Sequence, residues 1–379
     1  MPAKRDLKLI ALSAVFLLFI AGCKGTETPS GAPTTPFLGG SEALQIGFLE
    51  GSPPAEVTDG NTFPFQAIVT LKNIGEQDIT RDNIKVSLIG FLPSQFNPSG
   101  ADAFLETRLT DRNPSENLNG RKRDAEGNIL EPVESFIIFP DDAPTNKNFN
   151  FKDSIVGNNP FIFRANACYK YQTKAKTDIC VLQNQIDVAK DAICDPSEAK
   201  AVFSSGSPIK VSSFRQNVAG SNKLQLSFDV EHVGSGNIFD PATAADCPKD
   251  SANRRAKEDQ VMVSVDTGLS PTTAGGGYYQ LRCVGLSDVS GAATTKQIGK
   301  VKLLSNKRTI TCTLDLPAVR NDFVKPLDIT VDFNYLTKTD KEVLVKHILG
   351  STAAARCGDG YCDSSLGETT ANCVQDCPI

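Results

Sequence analysis

The sequence predicts an all-β chain of two tandem sandwiches followed by a small cysteine-rich module, and three observations carry that prediction. Apolar and polar residues alternate at a step of two through much of the chain, the pattern of the first half recurs in the second, and four of the eleven cysteines crowd into 357–377. A step of two places every second side chain on one face of a strand. Few stretches carry a helix period.

The N-terminal end comes first in chain order. Lys4, Arg5 and Lys8 precede the apolar run Leu9 to Ile20, which leads through Ala21 and Gly22 to Cys23. This is the order of a secretory signal. Ile20-Ala21-Gly22-Cys23 resembles a prokaryotic lipobox, which implies a signal peptide over 1–22 and lipidation of Cys23. The alternative is an uncleaved anchor helix, but a membrane span needs about 20 apolar residues and this run is shorter. The chain is therefore expected to be exported and lipid-anchored to the membrane, facing the cell exterior or periplasm. Residues 23–40 form the anchor and tether, rich in Thr, Pro, Gly and Ser. That composition buries too little apolar surface to offset the entropy of ordering, and as a coil it would hold the folded part roughly 20 Å from the membrane.

Beyond the tether, at about 150 residues per domain, the chain has room for two domains and an appendage. Its 39 Lys and Arg against 44 Asp and Glu are scattered, with a net charge of −5. This excludes the basic footprint that nucleic acid demands. With Cys23 set aside, ten cysteines remain, an even number that suits disulfides outside the cytoplasm.

The first sandwich is expected over 41–195. Phe63, Phe65, Ala67, Val69 and Leu71 alternate with Pro64, Gln66, Ile68, Thr70 and Lys72 up to the turn Asn73-Ile74-Gly75-Glu76; Ile84, Val86 and Leu88 follow, then Val133 to Phe139. Phe161, Phe163, Ala165, Ala167, Tyr169 and Tyr171 step by two into Thr173-Lys174, which reads as a hairpin returning through Ile179 to Leu182. Short strands separated by turn signals argue for a sandwich.

The second sandwich is expected over 208–350, after a linker at 196–207. Leu224, Leu226, Phe228 and Val230, followed by His232-Val233-Gly234 and Asn237-Ile238, repeat the first strand, turn and exit. Tyr335-Leu336-Thr337-Lys338 repeats Tyr171-Gln172-Thr173-Lys174 as a closing hairpin. Tandem homologous domains follow. Pro53-Pro54, Val69 to Gly75, Cys168-Tyr169-Lys170-Tyr171 with Thr173, and His232 to Gly236 resemble the immunoglobulin-like, adhesion-related repeats of prokaryotic, particularly archaeal, surface proteins. The resemblance covers roughly Ser41 to Gly350 and implies non-catalytic extracellular modules; His232 replaces Asn73, so no role carries over there. A fold of this kind does not fix a ligand.

Two polar excursions break the repeat: 93–132 with Arg121-Lys122-Arg123, and 239–260 with Arg254-Arg255. They read either as solvated insertions or as binding loops. Catalytic groupings are sparse. His232 and His347 have no acid or nucleophile beside them in sequence and read as structural. Ser197-Glu198-Ala199-Lys200 and Ser207-Pro208-Ile209-Lys210 fit Ser-x-x-Lys without its companion motifs. Asp141-Asp142 would point to opposite strand faces and reads as loop. The expected function is adhesion or contact with an envelope protein or glycan, against a structural spacer or an exported hydrolase.

Strand parity turns Cys283 and Cys312 inward, so they are expected to bond to each other. Cys180 is paired with Cys194, leaving Cys168 with Cys247, although sequence does not determine connectivity. At 351–379, Cys357-Gly358-Asp359-Gly360-Tyr361-Cys362-Asp363 leads through Gly367-Glu368 to Cys373 and Asp376-Cys377, resembling a short motif at the ends of exported microbial proteins. So short a segment lacks a core and needs staples, so two disulfides are expected in preference to zinc. Asp359, Asp363, Glu368 and Asp376 either gather around calcium, a hard ion that takes oxygen ligands, or solvate the surface.

Overall fold

The computed structural model describes residues 35–96, 109–140, 148–241, 245–271, 277–288, 294–348, 357–358, 360–362, 364 and 368–377. Cys23 and the signal segment, Asp141-Asp142, and Asp359 and Asp363 lie outside the described residues. Where the sequence alternates, the backbone is extended. The first half forms β1 (Leu44–Phe48), β2 (Glu56–Thr58), β3 (Ala67–Asn73), β4 (Ile84–Ile89), β5 (Lys122–Arg123), β6 (Ile129–Leu130), β7 (Ser135–Phe139) and β8 (Asn158–Val181). Next come β9 (Phe203–Ser204), β10 (Ile209–Gly220), β11 (Lys223–His232), β12 (Asn237–Phe239), helix α1 (Ser251–Lys257) and β13 (Gln260–Asp266). The chain finishes with β14 (Gln280–Cys283), β15 (Ser287–Asp288), β16 (Lys296–Lys302), β17 (Lys307–Asp315) and β18 (Phe323–Lys346).

The hairpins expected at Thr173-Lys174 and Thr337-Lys338 do not form. β8 and β18 instead run straight through those positions for 24 residues each. Neither Thr173-Lys174 nor Thr337-Lys338 supplies a Gly, Pro or Asn to turn the chain, and in β8 the buried set continues unbroken from Phe163 through Tyr171 and Thr173 to Val181. The two strands pair antiparallel along their whole length, from Asn158↔Lys346 to Val181↔Phe323. Lys170↔Asn334 lies near the middle, with Tyr169↔Tyr335 and Tyr171↔Phe333 on either side. At about 3.3 Å per residue the pair is roughly 80 Å long.

The two repeats therefore share a sheet instead of owning separate ones. The main path of the nine-stranded sheet is β15-β16-β13-β18-β8-β4, with β2, β9 and β12 paired onto the long strands. The sheets β1-β3-β7 and β10-β11-β17-β14 pack against the face that carries the odd-numbered residues of β8 and β18 and Ile84, Val86 and Leu88 of β4. On the first-repeat side Phe65 packs 5.8 Å from Phe163, and Leu44 N–H donates to Tyr169 Oη at 3.4 Å. On the second-repeat side Thr173 Oγ1 donates to Ile209 O at 2.8 Å, and Gln216 brackets the Cys180 backbone at 2.9 and 2.7 Å. The stretch 196–207 joins this architecture: β9 pairs with β8, and Ser205 and Ser207 are buried.

The motif shared by the repeats has a physical basis. Gln77 N–H donates to Tyr171 Oη at 3.0 Å, and that hydroxyl donates to Gly206 O at 3.2 Å. In the second copy Gly236 N–H donates to Tyr335 Oη at 2.7 Å. Each tyrosine ties down the turn of its own repeat from the long strand. Burial pushes the Tyr335 hydroxyl up to about 12 and raises that of Tyr171 as well. Asn73 closes the first turn, donating to Gln77 O at 2.8 Å and Leu118 O at 2.9 Å while accepting from Gly75 N–H at 3.2 Å. His232, its counterpart, instead meets Tyr335 Oη through Nε2 at 3.1 Å.

Burial is the largest influence on His232 and lowers its pKa below the ordinary 6.5, with a hydrogen bond to Asn306 acting the other way. The unfolded chain thus takes up this proton more readily than the folded one. Stability from His232 is full above 6.5 and is lost as pH falls through that value toward the folded pKa. Urea midpoints should decline across this window, and His232→Asn should flatten the decline; an unchanged slope would show that His232 does not drive it.

Candidate functional site

The opposite face of the shared sheet, which carries the even-numbered residues of β8 and β18 and the odd-numbered ones of β4, holds a groove of about 780 Å³. Its floor is made by Lys85, Ser87 and Ile89 of β4, Arg164, Asn166 and Cys168 of β8, and Leu336 and Lys338 of β18. These residues alternate with the buried set, so the rule that builds the core also aims them outward. The roof is the second excursion, held down by the Cys168–Cys247 disulfide.

Local interactions shape that roof. Asp250 caps α1 by accepting from Asn253 N–H at 2.9 Å. Arg254 lies 5.7 Å over the Phe239 ring and meets Glu258 at 3.0 Å. Lys257 pairs with Asp246 at 2.6 Å, and that carboxylate holds the ammonium above its usual range. Beneath the roof, buried Asn334 donates to Asp240 O at 3.0 Å and Asp246 O at 3.4 Å, while its Oδ1 has no hydrogen-bond partner among the described residues.

The first excursion reaches the same groove. Arg112 and Val86 exchange backbone hydrogen bonds at 2.7 and 2.8 Å, which lays the excursion along the edge of β4. Asp111 then meets Lys249 of the second excursion at 3.6 Å. The reading of both excursions as merely solvated insertions does not hold, because Phe96, Leu109, Leu118 and Ala245 are buried. Apolar side chains spaced through polar sequence anchor these segments.

The groove's carboxylates are engaged: Asp111 by Lys249, Asp246 by Lys257 and Asp250 by Asn253. Arg164 grips Asp340 through two bonds of 2.6 and 2.7 Å, which holds that carboxyl below its usual range. The arrangement presents fixed donors and acceptors on a rigid floor. Sequence reasoning reached the two excursions but not their meeting. The available signal was the parity of Cys168, which points away from the side on which Tyr169 is buried.

The structure places the remaining candidate residues as follows. Cys283 and Cys312 are direct cross-strand partners and are bonded, and Cys180 is bonded to Cys194. In the terminal module the bonds are Cys357–Cys373 and Cys362–Cys377, which leaves no thiolate there for zinc. Asp376 turns its carboxylate to the Gly358 and Gly360 amides, fixing the first turn of the module, and Glu368 is buried. His347 has an acid partner that sequence distance concealed. Its Nδ1 lies 2.6 Å from Oδ2 of buried Asp59, whose carboxylate also accepts from Ile155 N–H at 3.0 Å and Ile348 N–H at 3.2 Å. The His347 ring lies 5.3 Å from that of Tyr361, where the module meets the first repeat.

No family model and no curated protein matches the chain. Among solved structures, the chain is similar to the secreted serine protease VesC from Vibrio cholerae at 7% identity and a TM-score of 0.15, with 79% of this chain and 50% of that one covered. It thus spans about half the length of VesC. A second similarity is to the serine-rich repeat adhesion glycoprotein Srr1 from Streptococcus agalactiae, at 9% identity and a TM-score of 0.12, covering 81% of this chain and 96% of that one. Overlaps this slight carry no argument about function. The five disulfides do carry one, since such bonds persist in oxidising compartments: this is a mostly β, disulfide-bonded chain of extracellular type.

Proposed function

We propose that the chain is a non-catalytic, lipid-anchored cell-surface protein that adheres to, or contacts, an envelope glycan or protein through the groove on its shared sheet. The observation that carries this reading is the convergence of the two excursions, one from each repeat, over a single groove pinned by Cys168–Cys247. Asn166, Asn237 and Asn253 beside paired charges give it the donors and acceptors that a polar partner needs. Lipidation at Cys23 would place this body at the membrane surface. Each repeat is read as an immunoglobulin-like module. The order β10-β11-β17-β14, two opening strands followed by a late and an earlier one, supports this by its likeness to an A-B-E-D sheet.

A spacer role is the second reading, supported by the continuous pairing of β8 with β18. Binding of the full chain to isolated envelopes separates the two. The exposed-face variants Asn166→Ala and Lys338→Glu should each weaken adhesion about tenfold or more, the loss of one good polar contact, with unchanged melting. Equal binding by both variants would reject the groove and favour the spacer. Separately, Cys23→Ser should release the chain from the membrane fraction, and its retention there would reject the lipid anchor.

A further inference from the structure

A second pocket, sharing no lining residue with the groove, lies where the tether enters the fold. It measures about 250 Å³, and Pro36, Phe37 and Leu38 form one wall. Liquid water takes about 30 Å³ per molecule, so this space holds a tetrahedral oxyanion with part of whatever carries it. Four cations line it: Arg121, Lys122 and Arg123 from the hairpin β5-β6, and Lys174 from β8.

The hairpin is held rigidly. Arg121 N–H donates to Gly75 O at 2.7 Å, and Gly120 N–H donates to Asp78 Oδ1 at 2.8 Å. Glu76 is the single acid in the lining, and its carboxylate is spent on backbone amides. It accepts from Leu38 at 3.0 Å, Gly39 at 2.7 Å and Gly206 at 2.6 Å. Lys122 has Asp78 at 2.8 Å, and Arg121 has Glu131 at 3.0 Å. Among the described residues Arg123 and Lys174 have no carboxylate within ion-pair distance, although Lys174 is near enough to Asp78 to help lower its pKa. Arg121 Nε and Arg123 Nη1 are buried atoms that find no acceptor among the described residues. Native proteins rarely leave such donors unmatched, and a bound ion is one of the ordinary reasons.

From this geometry we infer that the pocket is a binding site for a phosphate-type oxyanion. Planar guanidinium groups flanked by lysines suit phosphate oxygens, which accept charge-assisted hydrogen bonds from several directions. The source is either a free phosphoryl ligand or a lipid headgroup. The position of the pocket makes the headgroup accessible if the chain is anchored: Pro36 follows Cys23 by thirteen residues, and a chain of that length spans at most about 45 Å. The anion site does not depend on the groove's role, nor on lipidation for its own chemistry.

The test uses the full chain carrying Cys23→Ser, oxidised, in three arms. Inorganic phosphate is titrated by calorimetry at two salt concentrations. Flotation is then measured with vesicles of phosphatidylcholine alone, and with vesicles also containing phosphatidylglycerol. Saturable phosphate binding that weakens with salt is expected, with Arg123→Gln and Lys174→Gln each reducing it about tenfold. Glu131→Gln, which frees Arg121, should strengthen it several-fold while leaving both tested cations in place. Flotation only with the anionic vesicles, lost in the same two variants, assigns a lipid headgroup. Phosphate binding without flotation assigns a soluble phosphoryl ligand. The inference is overturned if neither probe binds, or if binding is indifferent to Arg123, Lys174 and Glu131 in variants that melt like the parent.

Discussion

Fragment 41–195, produced without the second repeat, is expected to aggregate or to dimerise, not to fold as a stable monomer. In the intact chain all 24 residues of β8 are matched by β18, whereas β4 covers only Ile84↔Tyr169 to Ile89↔Arg164 on its other side. Cutting the chain exposes that whole length of backbone donors and acceptors as an open edge. The rough two-fold relation of the repeats about Lys170↔Asn334 supplies a ready substitute, in which one β8 pairs antiparallel with another. Sedimentation should show dimers or larger species, and a monomeric fragment with a cooperative melt would refute the shared-sheet account. The same coupling should make Thr173→Pro in the intact chain lower the unfolding of both repeats together. Thr173 is fully buried, and its hydroxyl contacts Ser207 Oγ at 2.6 Å and Ile209 O at 2.8 Å. Proline removes a ladder donor from a central strand, a place where it is essentially not tolerated. Calorimetry should show one transition at a lower temperature, whereas an unchanged second transition would mean the repeats unfold independently.

The second large effect is expected at the glycines beneath the tyrosines. A Cβ on Gly75 would stand 2.0 Å from Tyr171 Oη, 2.9 Å from Gly206 O and 3.0 Å from the Ala43 Cα. On Gly234 it would stand 2.4 Å from Tyr335 Oη and 2.6 Å from the Pro208 Cβ. Either Gly→Ala change should destabilise by about 3 kcal/mol, the upper range for overpacking, because backbone and a buried ring both have to shift. Tyr171→Phe should recover part of the Gly75→Ala loss, since it removes the nearest clashing atom. Urea midpoints of the four chains in that cycle measure the coupling, and additive effects would show that the hydroxyl and the turn are not in contact.

Much of this architecture is legible in sequence because its rules are local. Alternation marks which residues of β3, β8, β11 and β17 face inward. The same parity puts Cys283 opposite Cys312, which makes their bond a short-range inference from two strands. The Gly-to-Tyr repeat is visible as a pattern, although its cause, a hydroxyl pressed against a bare Cα, appears only when the strand and turn meet. At Thr173-Lys174 the pattern misleads. A resemblance to closing hairpins weighed more than the absence of turn-forming residues, and the strand simply continues.

The sequence by itself determined most of the strands, their buried faces and the reliance on disulfides, since each follows from residue type and spacing along the chain. The tertiary structure alone decided that β8 pairs with β18, that the two excursions meet at Asp111 and Lys249, and that Asp59 reaches His347. These partners lie far apart in sequence. An alternating strand presents the same backbone edge to any other, so its pattern fixes a face and a register but does not name the neighbour.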